Sequence, residues 1–251
     1  MVAIECPMKR LSYILYLAGS IVVFVITAIG CGHGTDSRSP TATQIIRQVE
    51  ETYASCNSYS DTGSSEIWTW TISDNGRSGY KEIATFSTKY VRPDHLRFNY
   101  NEQGNPDAGF VIRQSGDDVL KWRKGTQEAV HSESLDTFAS DTSRMSSKAA
   151  LAVLSLLQQA QNQNHVLLEL DNPMRVNDQR VGTVNCYRVQ GQFLGGHATL
   201  WIHQEQYLIL RIDVVSEYSN RSMQESTIFE WPAVNSTIDP DSLTFHLPGR
   251  A

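Results

Sequence analysis

Residues 148–160, KAALAVLSLLQQA, form an apolar stretch between two long runs of strand-like sequence. Eight of the nine residues from 149 to 157 are Ala, Val or Leu, and a helix that is apolar on all sides is usually buried. The stretch is shorter than the about 20 residues that cross a bilayer. We therefore predict a buried helix around which an antiparallel sheet curls, with the functional part in the gap between them.

The flanking sequence predicts about ten strands. Leu96, Phe98 and Tyr100 alternate strictly with polar residues, which is the period of a strand with one wet face. Because no β-α-β alternation occurs, the pattern predicts an α+β domain with a strongly curved antiparallel sheet, an open half-barrel whose concave face is covered by helices. Thr41 begins a predicted amphipathic helix, and further predicted strands include residues 166–170, 181–190, 198–202, 208–214 (with Leu208, Leu210, Ile212 and Val214 on one face), 223–231 and 243–247.

The N-terminal segment predicts export. Lys9 and Arg10 precede the uncharged residues 11–30, and a basic start followed by an apolar core is typical of a signal peptide. Residues 28–31, Ala-Ile-Gly-Cys, are similar to a bacterial lipobox, although Leu is usual at the first position. Because the apolar core exceeds the about 7 to 15 residues of a typical signal, an uncleaved transmembrane anchor is the alternative.

We favour a lipoprotein signal peptide at 1–30, lipidation of Cys31, a flexible tether at 31–40 and one domain at 41–251. Either interpretation places the domain outside the cytoplasm of a bacterial cell and ties it to a membrane. Gly32 stands where an inner-membrane retention signal has Asp, so we favour the outer membrane, with the domain facing the periplasm.

Charge, histidine spacing and the lack of known catalytic motifs argue against several functions. The formal net charge is -6, whereas nucleic-acid binders carry clustered Lys and Arg, so we expect no nucleic-acid partner. The seven histidines lack ligand spacing, and His197 with His203 would be only a pair. No nucleophile elbow, zinc motif or phosphate loop occurs. We therefore expect no metal, no cofactor and no enzymatic activity.

Two cysteines remain after export. Cys6 would be removed with the signal and Cys31 would carry lipid, which leaves Cys56 and Cys186. In an oxidising compartment two such residues usually pair, so we predict a disulfide between them. Two buried free thiols are the alternative.

Several short motifs resemble the LolA and LolB group of periplasmic lipoprotein carriers. They are residues 92–98, RPDHLRF; the hairpin 115–117 with Leu120-Lys121-Trp122; residues 200–211; and residues 238–245. The likeness spans about 41–248. It implies an open antiparallel barrel with helices over its mouth and an apolar cavity for acyl chains. An arginine of the carriers engages the helical lid, and Arg92 and Arg97 are the candidates here. The chain departs from the group at Trp122-Arg123-Lys124, where the carriers have a tyrosine-containing segment.

The predicted function is therefore the binding of lipid or lipoprotein acyl chains in an apolar cavity, in envelope lipoprotein trafficking. The alternative is a non-enzymatic envelope sensor or interaction module with a filled core and an envelope protein as its partner; a hydrolase with a dispersed site is a weaker one. Any single aromatic residue in these strands also fits a packed core. The predicted cavity residues are Trp68, Trp70, Phe86, Tyr90, Leu96, Phe98, Tyr100, Trp122, Leu151 and Leu154.

Overall fold

In the residues that the structure describes, one antiparallel sheet of eleven strands is accompanied by two α-helices. The structure, a computed structural model, describes residues 39–73, 76–105, 107–126, 128–132, 148–158, 170–193 and 196–247. The predicted signal peptide, Cys31 and the predicted tether up to residue 38 lie outside the described residues. The elements are α1 (Ala42–Ser55), β1 (Ser58–Ser73), β2 (Gly76–Val91), β3 (His95–Glu102), β4 (Gly109–Ser115), β5 (Asp118–Arg123), β6 (Ala129–Ser132), α2 (Lys148–Gln158), β7 (Asp171–Val181), β8 (Val184–Phe193), β9 (Gly196–His203), β10 (Ile209–Glu217), β11 (Arg221–Val234) and a 3-10 helix (Pro240–Leu243).

The strand order is β6-β5-β4-β3-β2-β1-β11-β10-β9-β8-β7. Strands β1 to β6 and strands β7 to β11 each run as a meander, and pairing of β1 with β11 joins the two halves. The sheet ends at β6 and β7 and does not close. These observations confirm the predicted open antiparallel sheet with few helices.

The two faces of the sheet are distinct, since successive strand residues point to opposite sides. We call the side bearing Phe86, Phe98 and Leu200 the helix face, because these residues share one buried core with α1 and α2. We call the opposite side, which bears Trp68 and Trp201, the outer face.

Helix α1 begins with a capping box. The Thr41 hydroxyl accepts a hydrogen bond from the Gln44 backbone N–H, and the Gln44 side chain accepts one from the Thr41 N–H. Ile45, Val49 and Tyr53 recur at helical spacing and are fully buried. The helix therefore packs its apolar side on the sheet, as the sequence pattern predicts.

Helix α2 is the predicted apolar helix. Its residues from Ala149 to Leu157 are buried or half-buried around the whole circumference, and it contacts α1 and strands β2, β10 and β11. Its predicted last residues, Gln159 and Ala160, lie outside the described residues. No helix in the described part of the chain is both long enough and apolar enough to span a membrane.

The structure corrects two predicted strand assignments and leaves a third almost wholly outside the described residues. A register shift between Ile209 and Arg211 turns Leu210 away from the helix-face core, because such a bulge adds one residue to the strand. Residues 243–247 form no strand, since Asp239 and Pro240 start a 3-10 helix there. Of the strand expected at 166–170, only Leu170 is described; it is buried and precedes β7.

Candidate acyl-chain site on the helix face

An aromatic wall covers the helix face of β2, β3 and β4. Phe86, Phe98, Tyr100 and Phe110 occupy alternate positions of paired strands, so their side chains stand side by side. Neighbouring rings are 5.2–6.1 Å apart between centroids, and none of the four residues is more than 3% exposed. Packing of this kind makes the wall rigid and dry.

Gly63 on β1 extends this wall to the other half of the sheet. It pairs with Phe86 on one side and with Phe229 on the other. A Cβ atom at position 63 would lie 2.2 Å from the Phe86 ring and 2.3 Å from the Ile228 carbonyl oxygen. The absence of a side chain allows the Phe86 and Phe229 rings to meet edge to face across β1, with centroids 5.4 Å apart.

Seven of the ten predicted cavity residues come together in the helix-face core. Six of them are strongly buried, and Leu151 packs against the core while partly exposed. The seven residues are Phe86, Tyr90, Leu96, Phe98, Tyr100, Leu151 and Leu154.

Trp68, Trp70 and Trp122 were predicted to line the same cavity, but the structure places them on the outer face. On β1 the alternating residues Ile67 and Thr69 are the buried ones, and Trp68 pairs with Lys81 away from the helices. Trp122 packs instead on Phe245 of the C-terminal segment, at 5.4 Å between centroids. These three residues are therefore not part of the candidate site, because alternation along each strand points their side chains to the outer face.

The two arginine candidates for the lid contact differ in position. The Arg92 Nε donates to the Cys56 carbonyl oxygen at 2.8 Å and its NH2 group to that of Tyr53 at 3.3 Å, so it binds the C-terminal end of α1. Arg97 lies on the outer face, where its guanidinium donates to the Thr244 carbonyl oxygen at 2.6 Å. Among the described residues, Arg92 thus contacts an α-helix, whereas Arg97 contacts the C-terminal 3-10 helix through the Ser242 carbonyl oxygen at 3.4 Å.

The predicted disulfide is absent, because Cys56 and Cys186 are both free and buried. Cys56 belongs to the helix-face core, whereas Cys186 packs with Trp201 and Leu210 on the outer face. The sheet separates the two thiols. Burial raises the pKa of each thiol, which keeps both protonated and unreactive at neutral pH.

A buried polar cluster, which the sequence analysis did not find, lies under the helices. The Asp61 carboxylate accepts hydrogen bonds from the Tyr59 hydroxyl at 2.6 Å and from the Thr88 N–H at 2.9 Å. Burial raises the pKa of Asp61 to about 6, because removal from water disfavours the charged form. Asp61 follows the alternation of β1, but no local pattern distinguishes it from a surface aspartate.

Hydrogen bonds from side chains hold α2 at both ends. The Glu225 carboxylate, on the helix face of β11, accepts the Ala149 N–H at 3.2 Å, which satisfies a backbone donor in the first turn of the helix. At the other end the Gln158 side-chain amide donates to that of Gln114 at 3.1 Å. Between these ends α2 contributes mainly apolar side chains. The helix is therefore an apolar plug with polar attachments at its two ends.

The arrangement offers no evident centre for metal chemistry. Within the described residues, no group of three or more His, Cys, Asp or Glu side chains is placed to hold a metal ion. His197 and His203 fall on the outer side of β9, between the inward-facing Ala198, Leu200 and Ile202.

No family model matches the sequence, and no curated protein matches it. Solved structures do resemble the fold. LprF from Mycobacterium bovis is 10% identical with a TM-score of 0.44, over 79% of this chain and 94% of that one. The lipoprotein LppX from Mycobacterium tuberculosis is 13% identical with a TM-score of 0.39, over 78% and 95%.

A LolA superfamily protein from Nitrosomonas europaea is 11% identical with a TM-score of 0.33, over 83% of this chain and 99% of that one. One of the matched structures thus belongs to the LolA group, which the sequence motifs were predicted to resemble.

Proposed function

We propose that the protein is a non-enzymatic, extracytoplasmic binder of lipid or lipoprotein acyl chains, which enter between α2 and the aromatic wall. The observation that carries this proposal is that the apolar helix α2 contacts β2 and shares one buried core with the aromatic wall. Such a helix can exchange one apolar neighbour for another at little cost in solvation, because the wall remains covered throughout.

Binding requires α2 to move, because the described wall residues are at most 3% exposed. An acyl chain gains about 0.8 kcal/mol for each methylene that leaves water, so a sixteen-carbon chain gains roughly 12 kcal/mol when fully enclosed. That gain is several times the burial energy of about 1.5–3 kcal/mol for one leucine side chain. The chain can therefore replace part of the helix in the core.

The small residues Ala149, Ala150 and Ala152 favour this exchange. All three are buried, and their short side chains give α2 little interlocking with its neighbours in the core. Arg92 holds the end of α1, so we infer that α1 stays in place while α2 shifts.

The first test uses residues 39–251, a compact unit of the chain, expressed and purified without detergent. Lipid extracted from the protein is identified by mass spectrometry, and the protein is titrated with the fluorescent fatty acid cis-parinaric acid. We expect co-purified lipid or saturable fatty-acid binding. Absence of both would contradict the proposal.

A pair of substitutions in α2 locates the site. Ala150→Phe adds a ring on the buried side of the helix and should weaken fatty-acid binding at least about tenfold, since it fills the space an acyl chain would take. Ser155→Phe adds the same ring at a half-buried position and should change binding little. Equal effects of the two substitutions would place the ligand elsewhere. Circular dichroism verifies that both variants fold.

The proposal includes a membrane tether. Cys31 lies outside the described residues, and the proposed lipid anchor rests on the sequence before it. Cys31→Ser should move the full-length protein from the membrane fraction to the soluble one. Retention in the membrane would instead indicate an uncleaved transmembrane segment. Density separation of the two membranes tests the favoured outer-membrane location.

A second candidate function is an envelope interaction module with a permanently filled core. The observation in its favour is the direct ring contact among Phe86, Phe98, Tyr100 and Phe110, which leaves no open volume between these side chains. Such a module would bind an envelope protein through its surface. Failure of both lipid measurements above, with an intact fold, would favour it.

A further inference from the structure

A second candidate site lies on the outer face, where β1, β11 and β10 run side by side. An open cleft of about 540 Å³ is formed there by Glu66, Trp68, Trp70, Arg211, Gln224 and Ser226, among others. Its volume is within the about 300–1,000 Å³ of ligand sites. The sheet separates the cleft from the helix-face core, so it cannot be part of the proposed acyl-chain site.

Two tryptophans supply the aromatic surface of this cleft. Trp68 and Trp70 are two residues apart on β1 and so project from the same face. Their rings are nearly parallel, at 11° and 6.0 Å between centroids. Trp68 remains 37% exposed, so a large apolar ring is in contact with solvent.

Gly79 on β2 lies beside the second tryptophan. It pairs with Trp70 across β1 and β2, and a Cβ atom at position 79 would lie 2.8 Å from the Trp70 ring. Glycine within a strand lowers sheet stability and often marks a close approach of another group. Here that group is the Trp70 ring, which rests on the glycine backbone and is thereby held in a defined orientation.

The charges of the cleft are paired within the protein. Glu66 accepts a hydrogen bond from the Trp68 indole N–H at 2.6 Å and an ion pair from Lys81 at 2.8 Å. These contacts lower the pKa of Glu66, the Lys81 hydrogen bond most, so it stays ionised. Arg211 is paired with Asp213 at 2.7 Å. The cleft therefore offers aromatic faces, an amide and hydroxyls, with no surplus charge.

We propose that this outer-face cleft binds an uncharged saccharide. The apolar C–H faces of a pyranose ring pack on tryptophan, and its hydroxyls are matched by side chains that both donate and accept, such as Gln224 and Ser226. An acyl chain needs an enclosed dry site, which this open, half-polar cleft is not. A phosphate ligand needs cations in excess of local carboxylates, whereas Lys81 and Arg211 are each paired.

Isothermal titration calorimetry tests the proposal on the full-length chain, held in a zwitterionic detergent that has no sugar headgroup. The probes are chitotetraose and cellotetraose, with tetragalacturonic acid as the charged counterpart. We expect one neutral tetrasaccharide to bind. Trp70→Ala should weaken that binding at least about tenfold, and Gln224→Ala about three- to tenfold.

Trp231→Ala is the matched control, because Trp231 is 88% exposed and lies outside the cleft; it should leave the affinity unchanged. Gln224 is itself exposed, so its substitution tests the site even if a tryptophan variant fails to fold. Three results would overturn the proposal: no binding of either neutral probe, wild-type affinity in both the Trp70 and the Gln224 variants, or tighter binding of the charged probe.

Discussion

Asp61 is the residue whose ionisation most clearly opposes the fold. Its carboxyl group lies in the helix-face core with a pKa of about 6, above the ordinary 3.8, because burial disfavours the charge. Between these two pH values the folded protein keeps a proton that the unfolded chain releases. The contribution of Asp61 to stability is therefore fully present below about pH 4 and is lost as the pH rises through about 6.

We predict that Asp61→Asn removes this part of the pH dependence. A shift of about two pKa units corresponds to up to about 3 kcal/mol, so the free energy of unfolding of the variant should fall less than that of the wild type between pH 4 and 6.5. Urea denaturation at several pH values measures it. Glu50, whose pKa burial also raises, contributes a slope of the same sign in both proteins.

Asp107→Asn is the control, since Asp107 is exposed in the β3–β4 turn. It should leave the wild-type slope intact. An unchanged slope in Asp61→Asn would show that Asp61 is hydrated or ionised in the folded protein.

At the scale of elements, the attachment of α2 decides how easily the core opens. Glu225 accepts the Ala149 N–H and also a hydrogen bond from the Thr227 hydroxyl at 3.1 Å. Both contacts are buried, so removal of the carboxylate deprives the Ala149 N–H of its acceptor, and that costs about 1–3 kcal/mol.

We predict that Glu225→Ala loosens α2 before the rest of the sheet. Hydrogen exchange across residues 148–158 should accelerate more than exchange in β8 and β9, because α2 loses a contact at its end whereas β8 and β9 make none with Glu225. Cis-parinaric acid should also bind faster if α2 is the moving element. Glu225→Gln, which keeps an acceptor oxygen, should show a smaller effect, and Glu230→Ala on the exposed part of β11 should show none. Uniform acceleration throughout the sheet would contradict a local role.

At the scale of the whole molecule, the positions of the two cysteines show that the sheet separates two buried regions, one on each of its faces. Cys56 lies on the helix side and Cys186 on the outer side, and a disulfide reaches only about 4.4–6.8 Å between Cα atoms. We predict that residues 39–251, never exposed to reductant, show no thiol reactive towards Ellman's reagent when folded and two when denatured. Two is the number of free cysteines in this unit. If no thiol reacted in either the folded or the denatured protein, the two cysteines would be joined by a disulfide.

The same division governs function. Our two proposals use opposite faces: apolar exchange under α2 on the helix face, and saccharide binding in the outer-face cleft. Because the sheet lies between the two sites, a substitution in one is expected to leave binding at the other intact. This independence allows the two proposals to fail separately.

The sequence by itself determined the elements. Helix α1 follows from its capping residues and apolar spacing, α2 from its uninterrupted apolar residues, and most strands from alternation, because each of these patterns depends on residues a few positions apart. That Leu96, Phe98 and Tyr100 lie on one buried face of β3 was predictable for the same reason.

Only the tertiary structure decided which face of each strand the helices cover. On β1 the inward residues Gly63, Ser65 and Thr69 are smaller and more polar than the outward Trp68 and Trp70, so hydrophobicity alone selects the wrong side. The large rings of neighbouring strands fill the space above Gly63. The hydroxyl groups of Thr227 and Ser65 form a hydrogen bond with each other beneath the helices. Segments that are distant along the chain determine by their packing which face of a strand is buried. Alternation within that strand does not indicate which of its two faces this will be.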